Sequence, residues 1–420
     1  MGGLADSLRA LRSRNYRLFF AGQTTSLIGT WMTRLATSWL VYRLTGSAVL
    51  LGTVSFCSQI PMFFLAPISG VWVERWDRQR TLVVTQALSM AQSFALAALT
   101  LTGTIRIWHL VVLSLFQGVV NAIDMPARQA FVIEMVERRE DLPNAIALNS
   151  SMVNATRLIG PAVAGLVIAA IGEGWCFLVD GISYIAVIGS LVAMRFTRTA
   201  IRRPATNAWH ELAEGWRYVI ASKPIRSLLL LLALISLVGM PYTVLMPVFA
   251  DRILHGGANT LGFLMAASGV GALVAALLLA ARRTVVGLGI WIGSSAAMFG
   301  LALVGFALSR SLWVSLAILP FAGFGMMQEM AASNTILQTI VDDDKRGRVM
   351  AYYAMAFQGI APFGSLLGGA LSDRVGAPET LVIGGALCVL CGVWFVWELP
   401  RLREVVRPIY VRLGILPEMT

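Results

Sequence analysis

The chain has 420 residues, of which 57% are hydrophobic and only 13% charged, with a net charge of +11. A soluble domain carries about 25% charged residues, so a chain this apolar uses lipid as its solvent. The basic excess does not point to nucleic acid, because it lies in short loops between apolar runs rather than on one soluble face.

A membrane-crossing helix needs about 20 apolar residues at a rise of about 1.5 Å each. Roughly twelve such runs can be marked: 17–42, 48–73, 80–102, 105–127, 142–171, 174–195, 226–251, 258–281, 284–308, 311–335, 348–371 and 377–398. Ahead of the first, the segment 4–12 has helical apolar spacing and a basic face, and is expected to lie on an anionic membrane surface. No apolar stretch precedes Leu18, so no cleaved signal peptide is expected. The longest connection, 196–225, starts with Arg198, Arg202 and Arg203 and continues as an amphipathic helix over 209–218. The expected organisation is a six-helix bundle over 1–195, a linker over 196–225, a second bundle over 226–400 and a basic tail over 401–420.

Basic residues set the expected orientation. With the N-terminus inside, inner segments hold about 26 Lys or Arg and outer loops hold about five, namely Arg43, Arg106, Arg252, Arg310 and Arg374. Both termini are therefore expected in the cytoplasm. The two halves also repeat at an offset of about 205 residues, which places Asp124 on Glu329, Arg78 on Arg283 and Val136 on Val341. The four cysteines are too few and too separated for a disulfide framework, and Cys388 and Cys391 read as packing inside the last apolar run. No P-loop and no water-facing nucleophile–base set is present, so the chain is not expected to be an enzyme or to hold a metal or other cofactor.

The second and third runs are joined by Gly70-Val-Trp-Val-Glu74-Arg75-Trp-Asp77-Arg78. This loop resembles the signature G-x-x-x-D-R-x-G-R of the major facilitator superfamily, with Glu74 for Asp and Asp77 for the second Gly. Arg14-Asn-Tyr-Arg-Leu-Phe-Phe-Ala-Gly-Gln23, Asp124-Met-Pro-Ala-Arg-Gln-Ala-Phe131 and Arg157-Leu-Ile-Gly160-Pro161 are similar to the branch called transmembrane secretion effectors. That branch includes enterobactin exporters and macrolide efflux proteins. The resemblance implies the major facilitator fold, an all-α polytopic protein of twelve transmembrane helices in two pseudo-symmetric halves. It further implies a monomer in a bacterial inner membrane, a small-molecule substrate, and a proton gradient rather than a cofactor as driving force.

Site residues follow from charge in the spans and from the resemblance. A charge inside a span asks for a partner. Arg34 lies near the middle of the first span and either binds an anionic substrate group or is locked into packing. Gly160, Pro161 and Gly165 resemble the exporter motif G-P-x-x-G-G, with Ala164 for one Gly, and Arg157 precedes them. Small residues there permit close helix approach, and Pro frees a carbonyl. Asp124 and Glu329 lie at the cytoplasmic ends of the fourth and tenth spans, and Arg78 and Arg283 at the cytoplasmic starts of the third and ninth. Two pseudo-symmetric latches are therefore expected, Arg78 with Asp124 and Arg283 with Glu329, beside the signature loop of Gly70, Glu74 and Arg75. The familiar R-x-x-Q-G of the fourth helix has Ser114 at its Arg position, which weakens the usual proton relay. Asp180 reads as a structural partner. Pro241 and Pro247 should kink the seventh helix. Gln59, Met240, Tyr242, Met246 and Gln328 are expected in an adaptable cavity wall. The expected function is proton-driven export of a bulky drug, macrolide or siderophore-like molecule by alternating access. A lipid flippase of the same fold and a non-transporting scaffold or sensor are the alternatives.

Overall fold

In a hydrocarbon environment each backbone N–H and C=O must find its partner within the protein, which favours helices. The computed structural model describes residues 8–194, 208–282, 284–342 and 344–417, without the side chains of 66–75, 133, 139 and 208–212, and those residues form no strand. The helices are α1 (Arg14–Thr45), α2 (Ala48–Arg75), α3 (Arg78–Leu101), α4 (Ile107–Met135), α5 (Leu142–Ile171), α6 (Glu173–Ala193), α7 (Ala208–Ala221) and α8 (Lys223–Gly239). They continue with α9 (Pro241–Val248), α10 (Ala258–Ala281), α11 (Leu288–Leu308), α12 (Leu312–Ile340), α13 (Arg346–Ala354), α14 (Ala361–Val375) and α15 (Ala377–Arg412).

Among the described residues, 11 helical segments are long and apolar enough to cross a membrane. The first expected span is the exception. It lies inside α1, which is 32 residues long but carries Gln23, Thr24, Thr25, Ser26, Thr30, Thr33, Arg34, Thr37 and Ser38. Length alone suits it to cross; its polarity is the reason it falls short of the other eleven.

The chain divides into two compact units. Unit one holds Met1–Gly46, Cys57–Ala205 and Ala250–Ala266; unit two holds Ser47–Phe56, Thr206–Phe249 and Ala267–Thr420. Each is thus one sequence half with a short piece of the other. In unit one, α1 packs on α5 and α6, and α3 on α4 and α6. In unit two, α9 packs on α14, α8 and α11 on α15, and α11 on α12. The same neighbour pattern recurs, as the repeat in the sequence requires.

The exchanged pieces are seated by glycines. In unit one a side chain on Gly165 would stand 3.0 Å from the Gly262 Cα, so α5 and the start of α10 cross at nearly bare backbone. In unit two a side chain on Gly369 would stand 3.3 Å from the Gly52 Cα, the same device between α14 and the start of α2.

Three local features reward a residue-level reading. Asp77 takes the N-cap of α3, and its carboxylate accepts the Arg80 backbone N–H at 3.0 Å. The departure from Gly at this position therefore supplies a helix cap. Near Pro241 the helix is interrupted: α8 stops at Gly239 and α9 restarts at Pro241, which has no N–H to donate, while Met240 between them keeps a helical backbone. A π-turn at Met355–Gly359 separates α13 from α14, and the Ser236 hydroxyl donates to the Phe357 carbonyl there at 2.6 Å.

Two expectations are revised. Of the segment expected to lie on the membrane surface, residues 1–7 are outside the described residues, and Arg9–Arg12 is a short 3-10 turn. That turn is held by protein. The Ala10 N–H donates to Asn144 at 2.9 Å, and Arg9 pairs with Asp141 at 3.2 Å. The expected tail beyond Pro400 does not begin a separate segment either; α15 runs through Pro400 and Pro408 to Arg412.

Candidate functional site

Trp31 and Arg34 are three residues apart on α1 and so share a face. The Arg34 guanidinium stands 4.9 Å from the centre of the Trp31 ring, and Arg157 of α5 stands 5.8 Å from the same centre. Gly160 explains how α5 comes so close. A side chain there would collide with the Trp31 Cβ and stand 3.1 Å from the Ile28 carbonyl. The first glycine of the exporter-like motif is thus the seat of Trp31. Neither arginine meets a carboxylate among the described residues. Arg34 is exposed and Arg157 is half-buried.

That arrangement is costly without a counter-charge. An arginine at mid-span costs about 2.5–3.5 kcal/mol on insertion scales. A cation–π contact returns about 0.5–2 kcal/mol. An exposed guanidinium facing lipid would be unfavourable, so the face of α1 that carries Arg34 is one that meets water. Its chemistry is that of a receptor for an anion beside an aromatic wall.

One residue before Arg34, the Thr33 hydroxyl donates to Asp180 Oδ2 at 2.8 Å, and Ser93 donates to the same oxygen at 2.8 Å. Asp180 is buried and its Oδ1 has no hydrogen-bond partner. It ties α1, α3 and α6 together.

The expected latch partners are rearranged. Arg78 pairs with Glu134, and Asp124 pairs with Arg128. Asp124 Oδ1 also accepts from Thr85 at 2.7 Å and Gln86 at 2.8 Å. The reason is axial level. Arg78 lies seven residues before Thr85, about 10 Å along α3 at the usual rise. Asp124 therefore meets α3 two turns away from Arg78, whereas Glu134 lies about ten residues further along α4 and reaches it. The Asp124–Arg128 spacing of i, i+4 was readable as a helix-face pair; Glu134 carried no such signal. Glu329, the repeat counterpart of Asp124, is buried and accepts only from Ser333, at 3.3 Å. Arg283 lies outside the described residues, as do the side chains of Gly70, Glu74 and Arg75.

The expected cavity wall is also revised. Arg34, Gln59 and Met240 remain accessible. Tyr242, Met246 and Gln328 are instead packed inside unit two, at 1%, 1% and 0% exposure. The Tyr242 hydroxyl lies 3.1 Å from the Ser268 hydroxyl, and its ring meets Phe299 edge-on with centroids 5.8 Å apart. Their burial within unit two, Tyr242 and Met246 on α9 and Gln328 on α12, removes these side chains from the wall. Both amide atoms of Gln328 lack a partner.

Polar contacts gather where α1 turns into α2. Arg43 grips Glu173 with two nitrogens at 2.7 and 3.2 Å, Tyr42 donates to Asp251 at 3.0 Å, and Arg252 donates to the Gly46 carbonyl at 2.9 Å. In unit two, Asp373 accepts the Ala48 N–H at 3.1 Å and the Ser47 hydroxyl at 3.3 Å. The linker helix α7 docks on α13: Glu214 pairs with Lys345 at 3.3 Å and Arg348 at 2.9 Å, while the Trp216 and Tyr352 rings meet at a tilt of 43° with centroids 5.7 Å apart.

Residues 5–407 match the sequence profile of the transmembrane secretion effector family. The staphyloferrin A transporter of Staphylococcus aureus is 26% identical over 383 residues, covering 90% of this chain and 96% of that protein. The multidrug efflux pump Tap of Mycolicibacterium fortuitum is 26% identical, covering 92% and 96%. Macrolide efflux protein A of Streptococcus pyogenes is 22% identical, covering 90% and 95%. Among solved structures, the nucleoside transporter NupG superposes with a TM-score of 0.71 at 11% identity, covering 92% of this chain and 99% of that one. A bacterial homologue of the human lysosomal transporter Spinster gives 0.70 at 14% identity, covering 93% and 97%. At these identities the structural likeness establishes the fold alone.

Proposed function

The chain belongs to the transmembrane secretion effector family of major facilitator transporters, and from that premise we propose that it is a secondary active exporter. It moves a bulky organic molecule outward across a bacterial inner membrane by alternating access, in antiport with protons and as a monomer. The observation that carries the reading is the seat of Trp31 on Gly160, which joins the exporter-like motif of α5 to the charged face of α1. The names of the relatives support an efflux-type transporter of a siderophore, drug or macrolide.

The basic asymmetry of the loops supports both termini on the cytoplasmic side. On that orientation the Tyr42–Asp251, Arg252–Gly46 and Asp373–Ala48 contacts stand at the outer ends of their helices and release when the outer side opens. Arg78–Glu134 and the contacts of Asp124 with Thr85 and Gln86 brace the inner parts of α3 and α4 against each other. Glu329, buried with Ser333 as its hydrogen-bond partner and without a cation among the described residues, is the acid we assign to taking up and releasing the coupling proton.

The test is efflux of dyes, macrolides and catecholate siderophores from cells expressing the protein, with and without a protonophore. An Asp124→Lys variant at matched membrane level is the control. The reading expects protonophore-sensitive efflux that the variant loses. Efflux indifferent to the protonophore would remove the proton from the account, and transport by Asp124→Lys at the native rate would remove Asp124 from the transport cycle.

A further inference from the structure

Trp31 carries two guanidiniums and the structure offers neither of them a carboxylate among the described residues. Two cations at 4.9 and 5.8 Å from one ring centre stand at most about 11 Å apart, close enough to repel each other in a low-dielectric span. Two nearby charged groups have other hydrogen-bond partners. Asp180 is spent on Thr33 and Ser93, and Arg43, at the end of α1, is spent on Glu173. The two arginines are therefore a fixed positive site awaiting a negative partner. The ring holds them in place, and Gly160 holds the ring.

We propose that Arg34 and Arg157, set against Trp31, form the anion-recognition site for the exported molecule, selecting substrates that carry a carboxylate next to an aromatic or other flat apolar group. The assignment rests on the exporter reading and names its substrate class. The chemistry is specific. A planar guanidinium matches the two oxygens of a carboxylate, and a second one matches either the same group or another carboxylate on the same molecule. Trp31 supplies the flat surface. A cationic drug would bring another positive charge into the site and is disfavoured. Depth argues against a lipid headgroup. Arg34 is eleven residues from the C-terminal end of α1 and twenty from its start, about 16 Å from the nearer end, which puts it in the hydrocarbon zone rather than at the phosphates.

The experiment measures binding, so that it does not depend on flux. The full-length protein is placed in nanodiscs of zwitterionic lipid, and the fluorescence polarization of carboxyfluorescein is followed, with ethidium as a cationic aromatic of similar size and citrate as competitor. The proposal expects the wild type to bind carboxyfluorescein, citrate to displace it, and ethidium to bind more weakly. Arg34→Gln and Arg157→Gln should each raise its Kd at least about tenfold, and Arg34→Lys should retain more binding than Arg34→Gln. Each variant is checked for a monodisperse particle, and the two positions are independent, so a misfolded variant at one leaves the other to decide. The proposal is overturned if the wild type binds neither carboxyfluorescein nor citrate, if ethidium is preferred, or if both glutamine variants keep the wild-type Kd within about twofold. Loss of carboxyfluorescein binding on adding anionic lipid at constant salt would assign the site to lipid phosphate and overturn the substrate assignment. Protonophore-sensitive export of ethidium alongside unchanged binding in the variants would sink this inference and leave the exporter reading intact. Binding that splits as expected without any flux would do the reverse.

Discussion

The first helix of each half occupies the same place in the repeat, yet the two are built on opposite principles. α1 is one unbroken helix of 32 residues, and its accessible face carries Arg34 beside Trp31. Its counterpart, α8 followed by α9, is apolar, is interrupted at Met240, and buries Tyr242 and Met246 in the interior of unit two. A second pair of equivalent positions differs in the same direction. Asp124 is saturated by Thr85, Gln86 and Arg128, whereas Glu329 has Ser333 alone. The repeat thus fixes where helices go, and substitution within it has left the two halves with different chemistry; the proposed recognition site lies in the first. The second half keeps a buried acid with little around it.

Arg34→Gln is the sharpest way to break this contrast. Export of an anionic substrate should fall at least about tenfold at matched membrane level, while Met246→Leu should change it little, since it conserves a buried apolar volume. Gly160→Leu should follow in size. It forces Trp31 away from α5, and overpacking of this kind costs about 1–3 kcal/mol. A lowered melting temperature in detergent, together with lost export, would check it. The paired acids come next. Asp124→Asn leaves Arg128 without its counter-charge, for a loss of about 1–3 kcal/mol, whereas Glu329→Gln sacrifices one long hydrogen bond, for under about 1 kcal/mol. Thermal melts of the two variants side by side decide this ordering. Equal losses would mean that the two acids are not differently held.

The smallest effect is at the linker. The hydrogen bond from Lys345 holds the Glu214 carboxyl below its ordinary range, and the same bond raises Lys345. A lowered acid contributes stability that is present above its unfolded pKa and lost as pH falls through the folded one. The raised lysine contributes stability that is lost as pH rises through its folded pKa. The docking of α7 should therefore be firmest at neutral pH and loosen at both extremes. Proteolysis of the linker across pH should show this window, and Glu214→Gln should flatten its acid limb. Because the pair is solvent-facing, the effect on melting temperature should be slight.

Much of the fold was legible because lipid imposes a simple rule: apolar runs of sufficient length become helices, and loop charge separates them. Eleven of the expected spans answer that rule, and the first does not because its own residues are polar, from Gln23 to Ser38. The break at Pro241 was legible from a missing N–H. What was not legible is three-dimensional level and direction. The repeat made Arg78 and Asp124 an expected latch pair, but about two helical turns on α3 separate Arg78 from the residues that Asp124 meets. Composition marked Tyr242, Met246 and Gln328 as a soft wall, but packing between the helices of unit two buries them. Trp31 was visible only as a neighbour of Arg34; that it also holds Arg157 depends on Gly160, a contact between helices that no local pattern announces.

The most direct measurement of the central claim is initial-rate export of one anionic substrate by Arg34→Gln and Met246→Leu, at matched membrane levels, from energised cells. Recognition concentrated on the first half predicts that Arg34→Gln loses at least about tenfold of the rate and that Met246→Leu keeps it. Retention of the rate by Arg34→Gln, with loss in Met246→Leu, would contradict the account and place recognition in the second half.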